Sequence, residues 1–523
     1  MADLTGSDQF AIYNGSTHKK ITADQLSQNY SGSYANYRLA VYNSSNGNHY
    51  SVKCNELGSK ISSSNQGSYH FMISRGSTLY KVAAEKVLGL LNFPAFISNT
   101  WDSSYGFLSE DLHAHSSGNT YVVGYNDVHP SQDNYIIKLN ESGEVAWKRS
   151  LNHYREFSYG VSADDAGNVY SSGWISEVVG DPNKYDIGIV KLNSSGTLQW
   201  SRRLGVQTSE SNRNHMEQNA LTCTETDGSG NTYICGYDVG PAYSAHTVRP
   251  LLAKWNTNGT LQWQKNLTGS NFFYAITLES SGNNIYTGGG GPNSSEVIKW
   301  NSSGTLLWQK TISFYGYVAD MASDIENNVY VVADNRENSE QRVSIFKLNS
   351  SGTILWQRKI SAGQFDRTCA VTVTTSGRVI VAFGSYSSPL WSIRLVSFDP
   401  SSGSVQWQRS IYDSSSLSIF LKALSPDKGN FAILFSGNNS SGTKINTTLK
   451  LPGDGSKTGT LTSSGGIGSQ KPIEYQTTSD ISVTTTNYSI SNSSYGTSNA
   501  RLPERSGGLS TSVENVGSDS AVL

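Results

Sequence analysis

The sequence predicts an all-β protein: a seven-bladed β-propeller of four-stranded antiparallel blades, preceded by a small module of three hairpin repeats. Three observations predict it. A phrase ending in Trp recurs six times between Lys138 and Trp407. A Gly-Asn hairpin phrase precedes each copy. The composition, with 50 Gly, 29 Tyr and 11 Trp in 523 residues, suits short strands, tight turns and aromatic filling between sheets.

The Trp phrase reads KLNESGEVAW to Trp147, KLNSSGTLQW to Trp200, KWNTNGTLQW to Trp263 and KWNSSGTLLW to Trp308. It continues as KLNSSGTILW to Trp356 and SFDPSSGSVQW to Trp407. A worn seventh copy, KLPGDGSKTGTL, spans Lys450 to Leu461 and lacks the Trp. The step from Trp200 to Trp263 is longer than the others and marks an insertion in the third blade. The partner phrase runs SGNTYVVGY at Tyr121, AGNVYSSGW at Tyr170, SGNTYICGY at Tyr233 and SGNNIYTGG at Tyr286. It then runs ENNVYVVAD at Tyr330, SGRVIVAFG at Ile380 and KGNFAILFSG at Phe431.

Each phrase is half a blade. The Gly-Asn pair supplies residues with φ > 0 that reverse a hairpin, and β-branched and aromatic residues carry the outgoing strand. The Asn-x-Ser-Gly of the other phrase turns a second hairpin whose strand delivers the Trp. Two hairpins make one four-stranded blade, which buries its faces only by packing on its neighbours. The six tryptophans are therefore expected in the inter-blade core.

Paired in this way, KLNxSGTLxW and GNxYVxG resemble the repeats of quinoprotein-like (PQQ-like) β-propellers, over about Ser103 to Leu461. The resemblance implies the fold. Quinone-using members are exported enzymes, and here neither a cofactor-ligand cluster nor a secretory signal in MADLTGSDQFAIYNG is expected.

Residues 1–95 carry a different repeat: QFAIYNGSTHKKITADQL (9–26), RLAVYNSSNGNHYSVKCNEL (38–57) and HFMISRGSTLYKVAAEKVL (70–88). In each, an apolar strand (Phe10, Leu39, Phe71, then Ile12, Val41, Ile73) is followed by a polar turn. A returning strand around Ile21, Val52 or Val82 and a short helical start complete the unit. One such hairpin is too small to fold alone, so the three are expected to pack together or on another subunit. The phrase SRGSTLYKV resembles the short modules at the front of virion structural proteins in tailed phages of marine cyanobacteria. That resemblance implies attachment to other virion proteins, with the propeller displayed outward.

Residues 462–523 form a Ser/Thr/Gly-rich tail. Within it EYQTTSDISVTTTNYSIS reads as a strand pair, and the remainder as flexible or ordered by a partner.

Net charge near −2 with 15 % charged residues gives no footprint for nucleic acid, and no apolar stretch is long enough for a transmembrane helix. The Asn-x-Ser/Thr runs at Asn193, Asn301 and Asn349 read as turn residues. His113 and His115, near Glu110 and Asp111, read as an ordinary outer strand of the first blade rather than a metal pair. Asp164, Asp165, Asp227 and Asp324 precede hairpin turns and read as turn caps. Gly288–Pro292 reads as a blade loop, and no nucleophile elbow, P-loop or HExxH is present. Cys223 and Cys235 lie symmetrically about Ser229, either facing each other across a hairpin or as separate buried thiols. The insertion offers Asn212, His215, Tyr243, His246 and Arg249 as candidate recognition residues, with a packed insertion as the plainer alternative.

These readings converge on a non-catalytic virion protein of tail or capsid, oligomeric in the particle, with no cofactor or metal. It is expected to be made in the host cytoplasm and to have a host glycan or receptor as an additional partner. A quinone-dependent or polysaccharide-cleaving propeller is the alternative, and it would need an acidic and aromatic cluster on the axis.

Overall fold

The computed structural model describes the strands and turns between Ile97 and Leu461, apart from several loops. It also describes six strands between Gln9 and Ala83 and six between Ile473 and Asn515. The chain divides into two compact units, residues 1–96 with 428–430, and 97–427 with 431–523. In the first unit the strands pair as three hairpins, Gln9–Asn14 with Thr17–Thr22, Arg38–Asn43 with His49–Lys53, and Tyr69–Arg75 with Thr78–Ala83. The expected helical starts after each hairpin lie outside the described residues, as do the side chains of this unit.

The second unit is a seven-bladed propeller of four-stranded antiparallel blades. Blade 1 consists of Phe107–Ala114, Thr120–Asn126, Asn134–Leu139 and Val145–Leu151, from axis to rim. Blades 2 to 6 repeat this order over 156–204, 223–267, 272–312, 316–361 and 364–413. The first strand of each blade is the innermost, and these strands neighbour one another in a ring around the axis.

In blades 1 to 6 the first turn closes through backbone bonds around a left-handed residue, a glycine in all but blade 5. In blade 1, Gly118 N donates to His115 O (2.8 Å) and His115 N to Asn119 O (2.9 Å). Only the glycine takes positive φ, +89° at Gly118, so the Gly-Asn pair contributes one left-handed residue and not two. In blade 5 Asn327 stands in for it at φ 63°, asparagine being the side chain that tolerates this region best. The second turn is an Asx turn: Asn193 Oδ1 accepts from Ser195 N (3.1 Å) and Thr197 N (2.8 Å), and Asn301 and Asn349 do the same. The sequon asparagines are thus turn residues.

The core lies between blades. Along the second strand of blade 1, Val122 packs with Ala432 and Leu434 of blade 7, while Tyr121 and Val123 pack with Val161, Val169 and Val190 of blade 2. Period-two alternation therefore gives each blade two apolar faces, which explains why no blade is stable alone.

The structure corrects four expectations. The worn repeat does not return to close blade 7. Its outer strand is Ile97–Asp102, which pairs antiparallel with Lys444–Leu451 and locks the two ends of the propeller together. Ile97 stands opposite Lys450, the register that Trp147 holds opposite Lys138 in blade 1. Among the described residues of 474–491 no two strands pair with each other. The tail's strands Ile473–Thr477, Ser482–Thr485, Ile490–Asn492, Thr497–Asn499, Glu504–Ser506 and Glu514–Asn515 run as a strap along the outer edges of blades 6, 5, 4, 3, 2 and 1, the first of them also pairing with Gly459–Leu461. His113 lies on the innermost strand of blade 1, not an outer one, with His115 in the turn just beyond it. Gly288–Gly291 is strand rather than loop, pairing with the inner strand and with Ser294–Asn301, and glycine is needed at 289 because a Cβ there would meet Phe272 O at 1.7 Å where the inner strand bulges.

Candidate functional site

Two polar systems stand out, one near the rim that joins blades and one at the axis. At the rim, each of blades 1 to 6 reaches the second turn of the next. In blade 1, Lys138 Nζ (3.0 Å) and Trp147 Nε1 (3.2 Å) both donate to Ser194 O, and Arg149 donates to Gly196 O (2.9 Å) and Ser195 O (3.1 Å). The indole also lies against Gly196, whose φ of +80° and lack of a Cβ allow the close approach. Trp200, Trp263, Trp308, Trp356 and Trp407 make the same bond to Thr257, Ser302, Ser350, Pro400 and Gly453. All six indoles therefore sit at blade junctions. Behind them a Tyr of the same blade packs on the ring in blades 1 to 5, for example Tyr330 on Trp356 at 5.9 Å.

The turn acids feed this system. Asp164, Asp227 and Asp324 each cap their own turn through Oδ1, Asp164 accepting from Ala166 N and Asn168 N. Asp165 is exposed and lies beside Gly228 of blade 3. In blade 4 Glu279 takes the Asp position and pairs with Lys299 at 2.6 Å, both buried. Burial pushes the Glu279 carboxyl upward, but bonds from Lys299, Asn284 and Tyr286 outweigh it and hold it below the usual carboxylate range.

At the axis the inner strands bring Asp111, Glu225 and Asp320 into one electrostatic neighbourhood. Burial pushes Asp111 up to about 7, against backbone bonds from Val161 and Leu112, with the charge of Glu110 adding to the rise. Burial likewise lifts Asp320 to about 7. Glu225 rises to about 8, through burial first and then the charges of Asp111 and Asp320. His113 falls to about 4 by burial and the proximity of His115. Asp111 Oδ2 accepts from Val161 N of blade 2, and Asp320 Oδ2 from Val371 N of blade 6, both at 2.9 Å. These two carboxylates tether neighbouring inner strands. Lys422 of blade 7 pairs with Glu110 of blade 1 at 3.1 Å.

Nearer the starts of the inner strands, aromatic side chains cross the blade boundaries. Tyr125 meets Tyr159 (6.2 Å), and Tyr159 meets Trp174 (5.3 Å). Tyr237, Phe272, Tyr274 and Tyr317 form a chain with steps of 4.9, 5.8 and 5.0 Å. Chemically, carboxyls that titrate near neutrality can exchange protons, and the partly exposed rings among these, Tyr125, Tyr159, Phe272, Tyr274 and Tyr317, suit the faces of sugars.

Among the candidate recognition residues, Asn212, His215, Tyr243 and His246 lie outside the described residues. Arg249 falls in the strand Val248–Trp255, paired with Asp238. The strands that flank these residues in sequence end at Leu204 and Val239 and resume at Cys223 and Val248. His115 is buried, with Nδ1 at 2.7 Å from Ser117 Oγ and Nε2 at 3.0 Å from Asp164 O. Among the described residues no group of three or more His, Cys, Asp or Glu could hold a metal. Cys223 and Cys235 stand directly opposite each other in register, both as free thiols, and Cys223 Sγ donates to Tyr274 O at 2.7 Å.

Residues 244–425 match the PQQ_2 family, described as outer membrane protein assembly factor BamB. The second unit is a seven-bladed propeller, and the part of it from 244 to 425 is similar to that family. No curated protein matches the chain. Among solved structures it is similar to the β-propeller domain of Cps50 (Swd1) from Myceliophteria thermophila, at 10 % identity over 67 % of this chain and 99 % of that one, TM-score 0.40. It is also similar to a mutant NanB sialidase from Streptococcus pneumoniae, at 10 % identity over 86 % and 89 %, TM-score 0.40. A protein from Lactobacillus plantarum gives 11 % identity over 70 % and 94 %, TM-score 0.39.

Proposed function

We propose that this chain is a non-catalytic structural protein of a tailed-phage virion. In this reading residues 1–95 dock it onto other virion proteins, and the propeller is displayed as a rigid platform for a host-surface glycan or receptor. The carrying observation is that the Lys, Trp and Arg of the repeat hold one blade to the next, while Asp111 and Asp320 are engaged as backbone tethers. Such a scaffold places recognition on its loops, and in this reading His215 and Tyr243 of the third-blade insertion contribute to it. The SRGSTLYKV phrase supports the docking role. Mass spectrometry of purified particles with antibody labelling under the electron microscope tests this. Fixed stoichiometry with labelled tails or shells is the expected result, and absence from particles would sink the proposal.

A second reading is a propeller enzyme, polysaccharide-cleaving or quinone-dependent. What favours it is the axial acidic group, above all Glu225 titrating near 8, next to aromatic chains. Turnover of acidic oligosaccharides or of a quinone-coupled dye that disappears in Glu225→Gln would select this reading over the first.

A further inference from the structure

Three blade junctions near the axis are fastened from the same position of the inner strand. Asp111, Cys223 and Asp320 each stand four residues before the residue that opens the first turn, His115, Asp227 and Asp324. Each reaches the inner strand of the following blade. Asp111 and Asp320 accept from Val161 N and Val371 N, whereas Cys223 Sγ donates to Tyr274 O at 2.7 Å. Tyr274 is the residue at which that strand bulges, between Phe273 and Ala275, and its ring lies between Phe272 and Tyr317. The thiol of blade 3 therefore holds the bulge of blade 4 and, through it, the aromatic chain.

A thiol in this place has a second choice that a carboxylate lacks. Cys235 stands directly opposite Cys223 on the second strand of the same blade, and both are free. The bond from Asp227 N to Asn231 O closes the hairpin, and bonded and non-bonded pairs alternate from there, which makes 223 with 235 a hydrogen-bonded pair. Such a pair sets its Cα atoms about 5.5 Å apart, within the separation most common among disulfides. Directly opposed side chains also point to one face of the sheet, and Cys223 borders the apolar cluster that contains Cys235. Cys223 is part-exposed and Cys235 fully buried, so an oxidant meets Cys223 first.

We propose that Cys223 and Cys235 form a redox latch: reduced, Cys223 tethers blade 3 to the Tyr274 bulge; oxidised, it bonds to Cys235 and releases that carbonyl. The oxidant is hydrogen peroxide, small enough to reach a part-buried thiol. The Cys223 thiolate attacks one peroxide oxygen and the O–O bond breaks, leaving a sulfenic acid and, after proton uptake, water. The Cys235 thiolate then attacks the Cys223 sulfur, the S–O bond breaks, and the expelled hydroxide takes up a proton as the second water. The two thiols lose two electrons and two protons, and both end in the waters. A dithiol reductant reverses the link by exchange. Its hydrogen bond with Cys235, and then burial, push the Cys223 thiol well above its usual range, so the disulfide forms slowly at neutral pH and faster as pH rises. This inference does not depend on the virion reading.

The test treats the full chain with hydrogen peroxide at pH 8.5 and maps its peptides after cleavage at Glu225, which lies between the two cysteines. Only chains that keep the buried Cys369 of blade 6 reduced, and so stayed folded, are counted. A link between Cys223 and Cys235 in most of them, reversed by dithiothreitol, is the expected result. Cys223 oxidised alone, or no link at all, would overturn the proposal. Hydrogen exchange of the amides of 272–278 reads the tether. Linking should speed it about fivefold, the worth of one hydrogen bond, and unchanged exchange in linked chains contradicts the latch. Cys223→Ser keeps a donor for Tyr274 O but forms no link, so peroxide should leave its exchange unaltered. A similar increase in that variant would trace the effect to another residue and also overturn the proposal.

Discussion

At the junction of blades 5 and 6, Lys347 and Trp356 donate to Pro400 O, at 2.9 and 3.0 Å, and Arg358 donates to Ser402 O, at 2.5 Å. The seam between blades 7 and 1 is built differently. There the Trp position is Ile97, and Lys450 reaches Gly118 O, at 2.6 Å, in the first turn of blade 1 rather than the second. The seam relies instead on contacts nearer the axis. Ser109 donates to the buried Asn446 Oδ1 from both N (3.2 Å) and Oγ (2.6 Å), Ala114 N donates to Ser425 Oγ (3.0 Å), and Lys422 pairs with Glu110. A repeat can evolve one fastening for all junctions inside the chain. The junction where the ends meet is made by residues hundreds of positions apart, and it needs its own.

The sharpest break of that comparison is Trp356→Ala. The indole is buried, packs on Tyr330 and Phe398 and donates to the next blade. Its removal should cost about 3–5 kcal/mol in urea unfolding, and a loss below about 1 kcal/mol would mean the indole is not a structural fastener.

Next come the two lysines. Lys450→Met leaves Asp427, 3.2 Å away and buried, without that cation and takes away the donor to Gly118 O, for a loss of about 3 kcal/mol. Lys347→Met should cost about 1–2 kcal/mol, since Trp356 still holds the Pro400 carbonyl and Asp324 keeps Asn328 and Tyr330 as donors. Equal losses for the two variants would show that the seam is no more dependent on its lysine than a regular junction.

How much of this was legible follows the same division. Blades 1 to 6 could be read because each Trp phrase and its Gly-Asn partner are neighbours in sequence, and local turn chemistry fixes both. The closing strand ISNTWD could not, because its partner lies more than three hundred residues away and its register position carries Ile instead of Trp. The strap escaped for another reason. Its seven-residue rhythm in Thr485, Asn492, Asn499 and Ser506 becomes visible only against the outer strands that supply its register. The axial acids were visible as residues but not as a group. Asp111, Glu225 and Asp320 come from blades 1, 3 and 5, and only ring closure brings them together.

Two carboxylates test the contrast between axis and junction by pH. Glu225 is raised to about 8, so the folded protein binds its proton more tightly than the unfolded chain does. Its contribution is full below about pH 4.5 and is lost as pH rises through about 8. Glu279 is lowered, so its contribution is present above the usual carboxylate range and is lost on acidification. At pH 8.5 Glu225→Gln should therefore gain on the order of 2 kcal/mol and Glu279→Gln should lose a similar amount. Thermal unfolding at pH 5 and 8.5 reads both signs, and matching signs would refute the distinction.

The smallest effect is expected at the second turns, and it reaches back to the seam. Asn301 Oδ1 accepts from Ser303 N (3.1 Å), Ser303 Oγ (2.7 Å) and Thr305 N (2.8 Å), all exposed. Water replaces an exposed acceptor well, so Asn301→Ala should cost only about 0.5–1 kcal/mol. Asn301→Asp should stay within about 0.5 kcal/mol of the native protein, since Asp399 already fills this role in blade 6, accepting from Ser401 N and Ser402 N. In blade 7 the position is Pro452, which offers no side-chain acceptor, and Gly455 N closes the turn on the Pro452 carbonyl at 3.1 Å. Pro452→Ala should thus lose less than Asn301→Ala in the same urea titration. The reverse order would mean that the seventh turn, although it leads to no returning strand, holds the seam more firmly than the Asx turns hold the blades.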